Sequence, residues 1–582
     1  MFEFVLTVMK VAFGTVAFVI NAKFLKLWPP TDRPVVTVRQ GKLRGVTATL
    51  PNGSRYHYFK GVPYAQHPVG ELRFKPPVPL DAFSTPVLEC LVDRSDCVHE
   101  DLFTKRVVGS EKGLYMNIYT PDFTVPVADE KGKFPVMVFI HGGGFLAGSG
   151  SSIVYNPIYL VQEGVIVIAM NYRLGPFGFL SLPEAGIAGN AGLKDQLLVL
   201  KWIKENIAQF GGDSGNVTLF GESAGSISAY LHYLSPNSRK YFHRVICQSG
   251  IPSSETFFQS SGSEKARKLA EIAGYTGDSD AEALQTLLRA PASVLVKNQH
   301  KVLTSEEKRM GVKFAFMPVI EDQHSEDSII TQTPEEIMKS FDTLDMPIID
   351  GCNSGEGILS LYLMSSRIHL GNSEPERFVP QLLGSSEKLD RVEVGKHIRQ
   401  FYFGDRPVSK DTCDQICDVM ADNYFITNSL ISAEWIAKYQ PRVPHYHYRF
   451  TFDGRFSFAK RLFNQIQAKG ACHGDDVFYI FSPVFLPTLQ ASSAECQVRN
   501  AFVKLWSNFA KFGDPTPNDS TAEDSERLGV KWNPIAKISK QSEEFNLDCL
   551  EIDTNPRMIR NPYPERIKLW RELLQRYRRG FL

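Results

Sequence analysis

The sequence carries no excess of either charge, because 64 lysines and arginines balance 64 aspartates and glutamates. It also has no basic tract with interleaved aromatics, so the charged surface that nucleic-acid binding demands is missing. Internal repeats, low-complexity tracts and long Gly/Ser linkers do not occur, which excludes solenoids and loosely tethered modules. No apolar run reaches the length of about 20 residues that a membrane-spanning helix needs. The nine cysteines are an odd number, and no C-x-x-C meets a second, so a zinc cluster is unsupported. Cys413 and Cys417, four apart, would share one helix face as small core residues.

Among 582 residues, 43% are hydrophobic and 22% charged, the balance of a soluble globular chain able to bury a large core. The Pro-rich break "WPPTDRP" divides the chain into an apolar or amphipathic segment, 1–29, and one continuous fold, 30–582. In the first segment an apolar run from Val11 to Ile20 lies between Lys10 and Lys23. Three readings fit it: a signal peptide cleaved near Ala22, a helix lying on a membrane surface, or a buried first helix. The expectation for localisation is therefore an intracellular protein held peripherally on a membrane through this segment, at a microsomal or lipid-droplet surface, and secretion is its alternative.

Beyond the break, "PVVTV" and "GKLRGVTATL" alternate as a half-exposed antiparallel pair should. Phe134–Ile140, Gly164–Met170, Val217–Phe220 and Met346–Gly351 are short, nearly continuous apolar runs separated by helical patterns. Strands buried on both faces read this way, which predicts an α/β fold with a mostly parallel central sheet flanked by helices. "HYHYRFTF", His445 to Phe452, is a further strand. The stretches at about 257–340 and 360–440 read as helical insertions placed to wall a pocket.

The chemistry concentrates in "VTLFGESAGSISAY". Gly221, Ser223 and Gly225 form G-x-S-x-G between an apolar strand and a helix, the context in which a serine is held exposed on a sharp turn. A serine hydroxyl is a poor nucleophile until a base takes its proton. His473, in "KGACHGDDVFYIF", suits a loop after a late strand. Glu356, in "IIDGCNSGEGILS", lies just past a strand on a glycine-rich loop that can aim it at an imidazole. The order Ser223, Glu356, His473 is the nucleophile–acid–histidine order of α/β-hydrolases. In "VFIHGGGFLAGSG" successive glycines let backbone N–H groups turn toward a ligand. The donors Gly143 and Gly144, completed by the N–H of Ala224, would form an oxyanion hole. Phe145, Phe257, Phe314 and Phe316 are candidate pocket walls by their nearness to these segments. No metal or organic cofactor is implied.

With these residues assembled, the chain resembles the type-B carboxylesterases of the cholinesterase superfamily, and insect alpha-esterases most closely, over roughly residues 34–575. The resemblance rests on "FKGVPYAQHPVGELRF" (59–74), "GSEKGLYMNIYTP" (109–121), "HGGGF", "NYRLGPFGFLS", "GNAGLKDQ" and "FGGDSGNVTLFGESAG" (210–225), together with the Glu356 and His473 segments. It implies the α/β-hydrolase fold, the catalytic roles just given for Ser223, Glu356 and His473, and the same oxyanion donors. It further implies ion pairs Arg73–Glu111 and Arg173–Asp195, small-molecule ester substrates of lipid or xenobiotic type, and covalent inhibition by organophosphates. Two departures carry expectations of their own. Gly113 stands where relatives have a cysteine, so Cys90 or Cys97 loses its expected partner, leaving those two to pair with each other or stay free in a reducing compartment. Asp476 replaces the commoner glutamate three residues after the histidine, a shorter acid expected to alter the histidine's surroundings. The sequons at Asn52, Asn216 and Asn518 matter only in the secretory pathway. A non-catalytic binding member of the family and a slow-turnover scavenger are the alternatives to a true esterase.

Overall fold

A computed structural model describes residues 30–582 except 103, 124–131, 254–256, 260–261, 310–313, 323–326, 341, 365–367, 385–387, 463–466, 488, 519–527 and 539–544, together with 19–21, 23 and 25. Most of the 1–29 segment, and with it the choice between signal, anchor and buried helix, lies outside the described residues. Among those described, no helix is long and apolar enough to cross a membrane.

Eleven strands among the described residues build the main sheet. Numbered in chain order they are β1 (Val46–Thr49), β2 (Arg55–Pro63), β3 (Tyr115–Pro121), β4 (Phe134–Ile140), β5 (Ile166–Met170), β6 (Gly212–Glu222), β7 (Arg244–Gln248), β8 (Ile348–Asn353), β9 (His445–Phe450), β10 (Asp548–Ile552) and β11 (Arg557–Arg560). Their spatial order is β11-β10-β9-β8-β7-β6-β4-β5-β3-β2-β1. From β5 to β10 every neighbouring pair is parallel, and antiparallel pairs lie only toward the two edges. The expected antiparallel pair Val35–Val38 with Gly41–Arg44 forms in a separate small sheet.

The apolar runs have the physical reason proposed for them. Along β4, Val136, Val138 and Ile140 enter one core cluster while Met137 and Phe139 enter the other, so both faces of the strand are buried. Helix α1 (Ala191–Asn206) follows the Asn171–Ser181 segment, and α2 (Ala224–Leu234) follows β6 directly. Helix α3 (Cys413–Ala421) passes through a π-helical turn at Asp422–Ile426 into α4 (Thr427–Tyr439). The last helix, α5 (Pro564–Tyr577), buries Leu569, Trp570, Leu573 and Leu574 against the body. Its basic face is tied down by Arg571 to Glu434 at 2.7 Å and Arg566 to Asp418 at 2.8 Å.

Both expected ion pairs form. Arg73 makes a two-pronged contact with Glu111 at 2.6 and 2.8 Å, and its remaining N–H groups donate to the carbonyls of Leu287, Leu288 and Ala290. Arg173 and Asp195 are more deeply buried, with contacts of 2.7 and 2.8 Å. All nine cysteines are free thiols, Cys90 and Cys97 included. Removing one member of a buried pair strands the other charge. Asp195→Ala is therefore expected to lower unfolding stability by about 3–5 kcal/mol, measured by urea denaturation against wild type; a loss below about 1 kcal/mol would show that Arg173 finds another partner.

Candidate active site

Strand β6 ends at Glu222, α2 begins at Ala224, and Ser223 between them has φ 56° and ψ −123°. An L-residue seldom adopts this backbone, so the turn is held by its surroundings. The Ser223 N–H donates to the Gln248 carbonyl at 2.9 Å, and its own carbonyl accepts from Ile227. The two flanking glycines are required by close approach: a Cβ on Gly225 would sit 2.0 Å from the Ile140 oxygen, and one on Gly221 would sit 2.4 Å from the Gly225 carbonyl carbon. The motif is thus the only sequence solution for bringing β4, β6 and α2 together at one point.

The triple-glycine loop leaves β4 at Ile140 and runs alongside this turn, so near that a Cβ on Gly142 would lie 3.0 Å from the Cβ of Ser223. Gly143 and Gly144 have φ 110° and 63°, and the Gly143 carbonyl is turned away to accept from Leu146 and Ala147, both at 3.1 Å. Ala224 opens α2, so its N–H belongs to the first turn, where helix N–H groups have no internal partner.

Glu356 and His473 come from loops 117 residues apart, joined by a parallel bridge between Gly355 and Cys472. Asn353 strengthens the junction by donating its side-chain amide to the Cys472 carbonyl at 2.8 Å. One Glu356 oxygen lies 2.6 Å from His473 Nδ1; the other accepts from Ser249 Oγ at 2.5 Å and the Asn353 N–H at 2.7 Å. Glu356 is fully buried, and these contacts leave it one way to point. The other ring nitrogen of His473 lies 3.1 Å from a Glu222 carboxylate oxygen. Among the described residues no hydrogen bond joins Ser223 Oγ to this ring.

Three residues here, Glu222, Ser249 and Phe425, carry no signal in the motifs except position, whereas Asp476 is marked in the sequence by its place three residues after the histidine. Glu222 directly precedes the serine. Burial raises its carboxyl to about 7, opposed by the charge of His473 and helped by those of Asp476 and Glu356. Burial alone would lower the His473 imidazole, but the carboxylates of Glu222 and Glu356, and the hydrogen bond that the ring donates to Glu356, outweigh it and raise the group to about 9. Ser249 follows β7 and is visible only through its contact with Glu356. Phe425 lies in the π-helical turn and sets its ring 4.5 Å from that of His473. Asp476 accepts from Gln248, Tyr448, Asn353 and the Val477 N–H. Its short side chain is fully satisfied from strands β7, β8 and β9, so it anchors the histidine loop to the sheet.

The four phenylalanines divide. Phe314 is partly exposed and packs against the triple-glycine loop, within 2.4 Å of where a Gly144 Cβ would stand. Phe145, Phe257 and Phe316 are buried in the main core cluster, Phe145 edge-on to Phe179 at 4.9 Å.

A mostly parallel sheet with a serine on a strained strand-to-helix turn, and an acid and a histidine on later strand-following loops, defines an α/β-hydrolase. The carboxylesterase family model matches residues 32–570. Esterase B1 of Culex pipiens is 31% identical over 92% of this chain and 97% of its own, and juvenile hormone esterase of Tribolium castaneum is 31% identical over 87% and 86%. The crystal structure of juvenile hormone esterase from Manduca sexta, with OTFP covalently attached, superposes with a TM-score of 0.80 at 27% identity, covering 94% of this chain and all of that one. The chain belongs to the carboxylesterase family and is a carboxylic ester hydrolase.

The geometry makes the charge on Glu222 a main reason for the high proton affinity of His473. Glu222→Gln is therefore expected to lower the titration midpoint of the His473 imidazole, followed by NMR on histidine-labelled full-length protein; an unmoved midpoint would assign the shift to Glu356 and Asp476.

Proposed function

We propose that the protein hydrolyses hydrophobic carboxylic esters through an acyl-enzyme on Ser223. The observation that carries this reading is the pairing of a strained, partly exposed serine with an imidazole whose other nitrogen is fixed by a buried carboxylate at 2.6 Å. His473 takes the Ser223 proton as Oγ attacks the ester carbonyl, and the imidazolium formed is stabilised by Glu356. This requires the Ser223 side chain to turn onto Nε2 when substrate enters, a tightening common in hydrolases. The N–H groups of Gly143, Gly144 and Ala224 receive the oxyanion, each donor contributing about 10² to 10³ in rate. His473 then returns the proton to the leaving alcohol, and a water activated by the same imidazole releases the acid.

The apolar character of the substrate is supported by Phe314 beside the triple-glycine loop and Phe425 beside His473, and by the juvenile hormone esterases among the relatives. Electrophilic organophosphates would be captured at the same oxygen, because their phosphoryl group meets the same nucleophile and oxyanion donors.

The test is a time course of p-nitrophenyl ester hydrolysis by the full chain, with Ser223→Ala alongside. Sustained turnover that falls by about 10⁶-fold in the variant supports the proposal. A burst of one equivalent followed by stalling would mean a scavenger, and no burst would mean a binding protein. The base must be unprotonated to act, so kcat/KM is expected to rise with pH until His473 loses its proton near pH 9. In Glu222→Gln this acid limb should move to lower pH together with the His473 midpoint; a limb that stays put while that midpoint moves would remove His473 as the base it reports.

A further inference from the structure

A second cluster of reactive side chains lies within the sheet itself. Asp350 on β8 is in register with His447 on β9, and His445 stands two residues earlier on the same face of β9. The Asp350 Oδ1 atom is 2.6 Å from His445 Nε2 and 2.9 Å from His447 Nδ1. All three residues are buried, and one ligand atom from each lies within 4.8 Å of the others. The second oxygen of Asp350 accepts from Ser429 on α4. None of these residues takes part in the ester chemistry.

Three features separate this cluster from an ordinary buried hydrogen-bond network. Among the described residues no lysine or arginine forms an ion pair with Asp350, so the two imidazoles are the groups placed to meet its charge. The row is extended by sulfur: Cys247 on β7 is in register with Asp350, and Cys352 follows two residues on along the same face of β8. A cavity of about 20 Å³, room for about one water, is bounded by His447, Ser429, Cys352, Arg449 and Tyr563.

We propose that Asp350, His445 and His447 form a binding site for a divalent zinc-class cation within the sheet, closed by a water. Two imidazoles and a carboxylate are donors that suit Zn²⁺. Neighbouring donor atoms around a tetrahedral zinc lie about 3.3 Å apart, so each imidazole nitrogen needs to part from the carboxylate oxygen by roughly half an ångström. Each ring would move its proton to its far nitrogen and offer the near one to the ion; no proton need leave the protein. Ser429 would hold the carboxylate from behind, the arrangement that orients metal ligands elsewhere. The ion would pin β8 to β9 three residues before Asn353, whose N–H holds Glu356. Its role is therefore to stiffen the strand that carries the acid, and it makes no contact with substrate.

The test loads full-length protein with Zn²⁺, removes loose metal by desalting, and counts what is retained by mass spectrometry; Co²⁺ loading adds a visible absorption band as a direct reading of the ligands. One equivalent retained by wild type, lost in His447→Gln and His445→Gln, is expected, together with a Zn²⁺-dependent rise in melting temperature that these variants lack. Ser429→Ala, which leaves all three ligands in place and removes one hydroxyl, is expected to weaken binding by about tenfold. Wild type that retains less than a tenth of an equivalent would overturn the proposal, as would an equivalent that persists in folded His447→Gln and His445→Gln, since the metal would then sit elsewhere.

Discussion

Everything at the candidate active site depends on the backbone of Ser223 being held where it would not rest by itself. Its φ of 56° with ψ of −123° costs on the order of 1–3 kcal/mol, and the molecule meets that cost by crowding. Strand β4 approaches so closely that the Ile140 carbonyl lies where a side chain on Gly225 would be, and the Ser223 carbonyl occupies the corresponding space beside Gly250. A hydrogen bond from Ser226 Oγ to the Gly250 carbonyl at 2.5 Å closes the cage. With four backbone segments in mutual contact, the serine hydroxyl is left at the strand ends, and the triple-glycine loop has one course to follow past it.

Charge is the second constraint. Glu222, Glu356, Asp475 and Asp476 are all buried around one imidazole. Burial pushes Asp475 up to about 7, eased by the hydrogen bond from the Cys472 N–H and by the charge of Lys460. So many carboxyl groups in one place cannot all be ionised cheaply, and the imidazole is the group that relieves them. The high proton affinity of His473 follows from this crowding.

Much of the fold was legible because parallel strands buried on both faces must be written as apolar runs, and Phe134–Ile140 leaves no room for another reading. The positions of Ser223 and Glu356 were legible for a different reason, each following a strand that its neighbours announce, whereas His473 lies well beyond the end of β9 and is marked only by its glycine-containing loop. The pocket aromatics were harder to read. Phe314 and Phe316 are two residues apart, yet one packs on the triple-glycine loop and the other enters the core, because nearness along the chain says nothing about which side of a loop faces the site. Phe425 was missed because its position depends on one π-helical turn between two α-helices, a feature that leaves no mark in hydrophobic periodicity.

The sequence by itself determined the sheet and the strained serine turn, since these rest on local backbone demands that only particular residues meet: glycines at points of contact, apolar runs where both faces are covered. Tertiary structure alone decided the contacts between distant segments. Ser249 reaches Glu356 across 107 residues and Gln248 reaches Asp476 across 228. Asp350 meets His447 only because β8 and β9 pair in that register. Such contacts depend on how whole strands align, and a shift of one residue in a strand would turn every one of these side chains to the opposite face.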